Sequence, residues 1–202
     1  MTHTLVRHQG CPARRVRLTH YNVPTGIFYR AWQPSDSPEE VTTLLHRAFD
    51  SLGKKGIHCA SGHQSPAQTL ARLERGRSFV AIDAGRIVGT LTLYAREIDS
   101  HCPVYRDSKV ASIHQFAVDP DYQGMGIGDA LLSIAECAAK VDGCTSLALD
   151  TPKRAKNLRD FYHDKGFRSV DSLRFAGRRY ISLVLLKPLC ANQGIPPATA
   201  WL

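Results

Sequence analysis

Three glycines at alternate positions, Gly124, Gly126 and Gly128, separate a strand-like segment from a helix-like segment, and no other feature constrains the fold as much. Residues 113–118 before them are mostly apolar, whereas residues 128–141 after them repeat apolar side chains at helical spacing. Glycine lets a ligand approach the backbone closely. The first N–H groups of a helix lack internal partners and lie at the positive end of its dipole. This junction therefore predicts a cradle for a phosphate or diphosphate.

Two other phosphate-binding loops and a simple turn compete with this interpretation. A Walker loop ends in Gly-Lys-Ser or Gly-Lys-Thr, but Gly128 is followed by Asp129 and Ala130. A Rossmann loop has the spacing GxGxxG after the first strand of a βαβ unit. Here the spacing is GxGxG in mid-chain, with no acidic residue placed for a ribose. A loop that merely turns would require neither Gln123 before the glycines nor the helix after them.

The rest of the chain alternates between strand and helix patterns. Strands are predicted at residues 28–32, 78–83, 86–95, 113–118, 147–149, 167–173 and 179–186, and helices at residues 39–49, 65–76, 128–141 and 155–165. Residues 96–110 are predicted to be a polar loop. The element order β-α-α-β-β-β-α-β-α-β-β predicts an α/β fold with a mixed sheet and helices on both faces.

The length of 202 residues fits one domain with a substantial core. Residues 1–25 are predicted to be a basic, flexible tail, residues 26–188 the domain, and residues 189–202 a second tail. The apolar runs are far shorter than the ~20 residues that span a bilayer, and no apolar segment follows the basic N-terminus. We therefore expect a cytoplasmic protein with no membrane partner.

Cysteine and histidine form no metal or disulfide pattern. The six cysteines include no CxxC pair, and the chain is longer than small secreted domains with disulfide frameworks. His58 and Cys59 with His63, and His101 with Cys102, lie in polar segments without a second pair of ligands. We predict no bound metal.

The formal net charge of +8 raises the question of a nucleic-acid partner. The positive charge is dispersed apart from Arg14, Arg15 and Arg17 near the N-terminus and residues 153–159, and no RNA-binding or zinc-finger motif occurs. A basic surface also suits a polyanionic cofactor, because it raises the local concentration of anions. A nucleic-acid partner is therefore the weakest of the alternatives.

Two motifs carry a resemblance to a known family. Gln123-x-x-Gly126-x-Gly128 resembles the Q/R-x-x-G-x-G/A signature of the GNAT acetyltransferases, and residues 116–120, Phe-Ala-Val-Asp-Pro, look like the strand and turn before it. Residues 161–167, Phe-Tyr-His-Asp-Lys-Gly-Phe, are similar to the second signature, L-Y-x-x-x-G-F, with phenylalanine in place of leucine. The two motifs occur in the family's order with one strand between them, and the resemblance covers roughly residues 27–187.

The resemblance implies acetyl-CoA as the cofactor and a splayed pair of strands at residues 113–118 and 147–150. The pantetheine arm would bond exposed strand backbone as a short added strand does, and the diphosphate would lie on N–H groups of the glycine loop. The implied cofactor-binding residues are Phe116, Ala117, Val118, Gln123, Gly124, Met125, Gly126, Ile127, Gly128 and Tyr162. Relatives often carry an asparagine at the position of Ala155; Asn157 would face another direction on a helix.

The resemblance also implies catalytic roles. Tyr162 matches the family tyrosine that donates a hydrogen bond to the departing sulfur, although a tyrosine that only anchors the helix would match as well. Many relatives carry a glutamate as the base at the start of the fourth strand, where this chain has Ser112. His114 is the best local substitute, because the charge of histidine changes near neutral pH, but a histidine packed on the strand would look the same. Weaker candidates for the base are Asp150, Glu97 and Asp99.

These observations predict an N-acetyltransferase that moves an acetyl group from acetyl-CoA to a primary amine by direct attack in a ternary complex. The acceptor is a small molecule or a protein amine, chosen by loops 51–64 and 96–110 and the early helices. Two alternatives stay open: a non-catalytic acyl-CoA-binding module, which Ser112 favours, and a nucleic-acid-binding protein. The sequence leaves open a homodimer formed through the C-terminal strands or tail.

Overall fold

Seven strands form one mixed sheet in the computed structural model, which describes residues 26–189. The strands are β1 Phe28–Ala31, β2 Arg77–Asp83, β3 Arg86–Tyr94, β4 Val110–Val118, β5 Ser146–Pro152, β6 Arg168–Leu173 and β7 Ser182–Pro188. They lie in the order β1-β2-β3-β4-β5-β7-β6, and among the described strands only β4 and β5 pair in parallel. The tails predicted at residues 1–25 and 189–202 lie outside the described residues, except for residue 189.

The helices are α1 Pro38–Gly53, α2 Pro66–Arg75, α3 Pro103–Arg106, α4 Ile127–Val141 and α5 Lys156–Asp164, and short 3₁₀ turns occur at Ala60–Gly62 and Pro120–Tyr122. Ser37 begins α1 by accepting a hydrogen bond from the Glu40 N–H at 3.1 Å. Ser65 and Gln68 form a reciprocal capping box at the start of α2. The predicted order of strands and long helices is confirmed.

The helices cover both faces of the sheet, as predicted. On one face, α4 and α5 bury side chains such as Leu131 and Tyr162 against Ile113 of β4. On the other face, α1 and α2 bury Val41 and Leu73 with side chains from β2, β3 and β4. The resulting α/β fold has β4 at its centre, with one helical layer on each side.

The segment 96–110 is more structured than a polar loop. It contains the short helix α3, and Cys102 and Tyr105 are only 0% and 2% exposed. Both side chains pack with Ala148 and Val184 on the sheet. This contact could not be predicted from the sequence, because the apolar residues of the segment do not recur at helical or strand spacing.

A β-bulge interrupts β4 where it passes the centre of the sheet. Thr90 pairs with Ala117 and Thr92 with His114, so two residues of β4 lie opposite one residue of β3. Gln115 in the bulge has a φ angle of 47°, which is unusual for a residue other than glycine. A bulge breaks the alternation of side chains, and Gln115 accordingly bonds to Gln64 on the α2 side of the sheet.

Candidate active site

A cleft opens where β4 and β5 separate. The two strands pair only through Val110, Ala111 and Ser112 of β4, and then diverge. The cleft between them has a volume of about 700 Å³ and is bounded by β4, β5, the glycine loop and the start of α5. Residues 113–118 therefore have no strand neighbour on the β5 side, and the predicted splayed pair is confirmed.

The glycine loop forms the wall of the cleft at the start of α4. Gly124 and Gly126 have φ angles of 79° and 81°, in the left-handed region that favours glycine. No side chain caps the first N–H groups of α4, which begins at Ile127. A Cβ atom at Gly128 would lie 3.4 Å from Phe116 Cζ, whereas a Cβ at Gly124 would meet nothing within 4 Å. The backbone N–H groups of the loop therefore face the cleft and are covered by few side-chain atoms.

Most of the residues predicted to bind the cofactor line this cleft: Phe116, Ala117, Val118, Gln123, Gly124, Gly126, Ile127, Gly128 and Tyr162. Met125 is the exception, since it is 44% exposed and lies outside the cleft wall. Gln123 Nε2 donates to the Val118 carbonyl oxygen at 3.2 Å. The glutamine therefore ties the glycine loop to the end of β4.

One ion pair and two further basic side chains lie near the glycine loop. Asp129, in the first turn of α4, would oppose a bound phosphate, but Lys165 Nζ lies 2.7 Å from its Oδ1. Arg154 and Lys156 also line the cleft on the α5 side. Because Lys165 neutralises Asp129, the positive end of the α4 dipole remains available to an anion.

Tyr162 of α5 lines the cleft and is 9% exposed. Its ring lies edge-on to Phe161 and Phe167, with centroids 5.3 and 5.8 Å apart. Burial raises the pKa of its phenol well above the ordinary value of 10.0. The ring helps to hold α5 on the sheet, and the hydroxyl stays protonated and able to donate a hydrogen bond at neutral pH.

His114 sits in a cluster of polar and aromatic side chains on β4. Its Nε2 lies 2.9 Å from Glu97 Oε1 and 2.9 Å from Ser112 Oγ. Its ring stacks on that of Tyr94 with the centroids 4.2 Å apart. His114 also lines the cleft, so the structure places it between the cleft and a carboxylate.

Glu97 enters this cluster from the segment after β3. Ser112 Oγ donates to Glu97 Oε1 at 2.6 Å, and Arg75 pairs with the other carboxylate oxygen at 2.9 Å. Burial favours the neutral acid, but the hydrogen bonds from His114 and Ser112 and the nearby positive charges outweigh it and lower the pKa of Glu97. A carboxylate thus lies beside Ser112, where the family resemblance implied a glutamate within β4 itself.

The two other candidates for the base are placed less favourably. Asp150 lines the cleft but is paired with Arg178 and accepts a hydrogen bond from Tyr105 Oη at 3.4 Å. Asp99 instead lines a separate cavity of about 590 Å³ beside His58.

One of the two loops expected to choose the acceptor lines the cleft, and so does Asn157, against expectation. Of the two loops expected to choose the acceptor, 51–64 lines the cleft through Ser51, Leu52, Lys55, Ile57, Cys59, Ala60 and Ser61, whereas no residue of the described segment 96–110 lines it. Asn157, expected to face away from Ala155, lines the cleft together with it. The reason is that α5 begins only at Lys156, and Ala155 has a non-helical ψ of 76°.

Several cleft residues were missed by sequence analysis: Arg72, Gln115, Arg178 and Tyr180. They come from α2, from the bulge in β4 and from the segment before β7. No local motif marks these positions, because each reaches the cleft through the tertiary fold.

Among residues 26–189, no group of three or more histidine, cysteine or acidic side chains has the arrangement of a metal site. His58 Nδ1 and His63 Nε2 lie 3.3 Å apart, as a pair of imidazoles. No described helix is both long and apolar enough to cross a bilayer.

Comparisons with known proteins agree with this geometry. The model of the acetyltransferase (GNAT) family matches residues 39–167. An S-(2-succino)cysteine N-acetyltransferase of Bacillus subtilis is 29% identical over 154 residues, which cover 75% of this chain and 90% of the relative.

Two solved structures share the fold at low sequence identity. An acetyltransferase from Streptococcus agalactiae has a TM-score of 0.63 at 21% identity, covering 81% of this chain and 99% of its own. A GNAT family acetyltransferase from Elizabethkingia anophelis, solved with acetyl-CoA bound, has a TM-score of 0.58 at 20% identity, with coverage of 81% and 99%. Since the family model spans more than half of the sequence, this chain belongs to the GNAT family of acetyltransferases and is an acyltransferase.

Proposed function

We propose that this protein binds acetyl-CoA in the cleft between β4 and β5 and transfers its acetyl group to a primary amine by direct attack. The observation that carries the proposal is the uncapped start of α4, which opens into that cleft behind Gly124 and Gly126. Several charge-assisted N–H bonds, each contributing about 1.5–3 kcal/mol, suffice to hold a diphosphate. When bound, acetyl-CoA supplies the thioester whose acetyl group the amine receives.

The residues present fit this cofactor. The backbone of Phe116, Ala117 and Val118 lacks a strand neighbour on the cleft side, so its polar groups are available to peptide-like amides of the pantetheine arm. The N–H groups of residues 124–128 would hold the diphosphate, with Gln123 fixing the loop. The lack of a side chain at Gly124 leaves open space for such a ligand, whereas a side chain at Gly128 would contact Phe116.

Tyr162 is the proposed donor to the departing sulfur. Its hydroxyl is neutral because burial raises its pKa, and no described residue accepts a hydrogen bond from it. A thiol has an ordinary pKa of ~8.5, below the ~10 of phenol, so complete proton transfer from Tyr162 would be uphill. We therefore assign Tyr162 a hydrogen bond that stabilises negative charge on sulfur.

His114 and Glu97 are the proposed route for removing a proton from the amine. An amine with the lysine pKa of ~10.4 is neutral in only about one molecule in 2,500 at pH 7, a deficit of ~4.6 kcal/mol. If Nε2 of His114 donates to Glu97, Nδ1 holds the lone pair that a base requires. Glu97 accepts that hydrogen bond and so fixes the ring and its tautomer.

The contact between Glu97 and Ser112 bears on the alternative of a non-catalytic module. That alternative depended on the missing glutamate at position 112, and a carboxylate from another segment now lies 2.6 Å from the Ser112 hydroxyl. For the nucleic-acid alternative, Arg14, Arg15 and Arg17 lie outside the described residues. The cytoplasmic location, the homodimer and the three-part division of the chain stay predictions.

Calorimetric binding of acetyl-CoA to the wild type and to Gly126→Trp tests the proposal. We expect saturable wild-type binding and a loss of at least about 100-fold in the variant, because the indole would fill the cradle. Gly143→Trp is the matched control: Gly143 follows the other end of α4, has a similar φ of 78° and has open space around it. Equal loss in both variants, or no wild-type binding, would contradict the proposed site.

Acetyl transfer is then measured as thiol release with a panel of amines. The panel includes S-(2-succino)cysteine, the compound in the name of the B. subtilis relative. Tyr162→Phe should lower kcat by about tenfold, the value of one hydrogen bond to a charged group. Unchanged kcat with an unchanged melting temperature would remove Tyr162 from the chemistry.

A further inference from the structure

The cleft wall formed by Arg72, His114 and Gln115 is called the acceptor side here. The bulge in β4 gives it a feature that a regular strand lacks. Residues 114 and 115 follow each other, yet His114 contacts Tyr94, and Gln115 contacts Gln64, both on the side of the sheet that α2 covers. Both side chains line the cleft. The bulge therefore places an amide next to the proposed base.

The orientation of the Gln115 amide follows from its hydrogen bonds. Arg72 Nη1 donates to Gln64 Oε1 at 2.7 Å, so the Gln64 amide nitrogen must donate in turn, and it lies 2.8 Å from Gln115 Oε1. The Gln115 oxygen is thereby occupied, and its nitrogen faces elsewhere. Gln115 Nε2 is buried without a partner among the described residues, and Gln115 as a whole is 3% exposed.

A buried amide nitrogen with two N–H donors and no acceptor is costly and rare in folded proteins. A water oxygen can accept hydrogen bonds from this nitrogen, and a ligand oxygen in the cleft can accept them as well. Gln115 is thus a preformed donor for an oxygen atom of whatever occupies the acceptor side.

Arg72 adds a positive charge at the same place. It lines the cleft, is partly exposed, and makes no ion pair with any carboxylate in residues 26–189. Two neighbouring arginines are paired, Arg75 with Glu97 and Arg178 with Asp150. Lys55, also in the cleft wall, likewise has no acidic partner in the described chain. The acceptor side therefore holds uncompensated positive charge.

On the basis of the proposed function, we propose that the acceptor is an amine that carries a carboxylate, which Arg72 and Gln115 bind. Guanidinium and amide N–H groups both donate, and a carboxylate only accepts, so the donors and acceptors match. The positive charges also disfavour the ammonium form of a nearby amine, which is the form that cannot attack. A cationic polyamine or a lysine-rich protein segment would meet repulsion here.

Matched acceptors test the charge requirement directly. Each amino acid in a panel is compared with its own amide, which keeps the amine and side chain but replaces the carboxylate. We expect the wild-type kcat/KM to favour the acid over the amide by about tenfold or more. Transfer to amides or plain amines in preference to the acids would overturn the proposal.

Three variants at two positions locate the effect. Arg72→Met should abolish the preference by raising KM for the acid. Arg72→Lys should retain part of the preference, because lysine keeps the positive charge but lacks the paired N–H donors of the guanidinium group. Gln115→Glu, close to isosteric, should reverse the preference by placing a carboxylate against a carboxylate. Arg174→Met and Gln68→Glu are the matched controls, since Arg174 is exposed outside the cleft wall and glutamate suits the capping position of Gln68.

A ternary complex contains two sources of negative charge, the carboxylate of the acceptor and the phosphates of acetyl-CoA. The affinity for acetyl-CoA shows which of the two Arg72 binds. If Arg72 binds the acceptor, Arg72→Met leaves the calorimetric Kd of acetyl-CoA unchanged. A weaker Kd with an unchanged preference for acids would assign Arg72 to a cofactor phosphate and overturn the inference. If the wild type binds no acetyl-CoA or acetylates no amine, the proposed function itself fails. Melting temperatures within a few degrees of the wild type would show that the variants fold.

Discussion

The two sides of the cleft are built from different parts of the polypeptide. The side formed by residues 123–128 is made of backbone N–H groups in one contiguous segment, and its glycines contribute by lacking side chains. The opposite side is made of side chains from distant positions, such as Arg72 and His114, which hydrogen-bond to Gln64 and Glu97 outside the cleft wall. A backbone site can be read from a short motif, whereas a side-chain site depends on the tertiary fold.

This contrast predicts that changes on the side-chain wall affect turnover and leave cofactor affinity alone. Glu97→Gln removes the carboxylate that orients His114 through its Nε2 hydrogen bond, and should lower kcat by about 100-fold, within the usual range for acid–base catalysis. The Kd of acetyl-CoA should not change. Steady-state kinetics and calorimetry provide the two measurements.

Glu74→Gln is the matched control for that experiment, because Glu74 is an exposed glutamate of α2 outside the cleft wall. If Glu97→Gln keeps the wild-type kcat, Glu97 has no part in the reaction. If it weakens acetyl-CoA binding as much as turnover, the two sides of the cleft are not independent.

A smaller effect is expected from the ion pair between Lys165 and Asp129, which lies beside the glycine loop. Lys165→Met leaves Asp129 unneutralised beside the start of α4, and acetyl-CoA should bind about threefold more weakly, as expected for one charge near a helix end. Titrations at low and high salt check this, since the difference should shrink as salt screens the charge. A loss as large as that of Gly126→Trp would show that side chains, too, build this wall.

The smallest expected effect concerns stability and pH. The pKa of Glu97 is lowered from its ordinary value of 4.5 in the folded protein. Its ionised form therefore stabilises the fold above that ordinary value, and this contribution is lost as the pH falls through the lower folded-state pKa. Glu97→Gln should cost on the order of 1 kcal/mol in the free energy of unfolding at pH 7.

Urea unfolding at several pH values measures this difference between Glu97→Gln and the wild type. The difference should shrink below pH 4.5, as Glu97 takes up a proton in the wild type and loses its ion pair with Arg75. A difference that stays constant down to pH 3 would mean that the charge of Glu97 contributes nothing to folding.

The element order and the glycine loop could be predicted because their signals are local. Helical spacing predicted α4, and the glycines marked the junction between β4 and this helix. The splayed strands came from the family resemblance, and the pairing of β4 and β5 agrees with it.

The acceptor wall could not be predicted in the same way. A bulge adds one residue to a strand without changing its composition, so the side on which Gln115 lies cannot be read from alternation. Glu97 was a weak candidate because nothing local connects it with Ser112. Arg72 looked like any basic residue in the last turns of α2.

The short pairing of β4 with β5 has a consequence for the exchange of amide hydrogens with solvent. Beyond Ser112, β4 has a strand neighbour on one side only, so its N–H groups on the cleft side are left without the protection of a second strand. A ligand that hydrogen-bonds to this edge would slow their exchange while leaving β2 and β3 unaffected. Deuterium uptake by the peptide covering residues 113–118 therefore shows whether a ligand occupies the cleft.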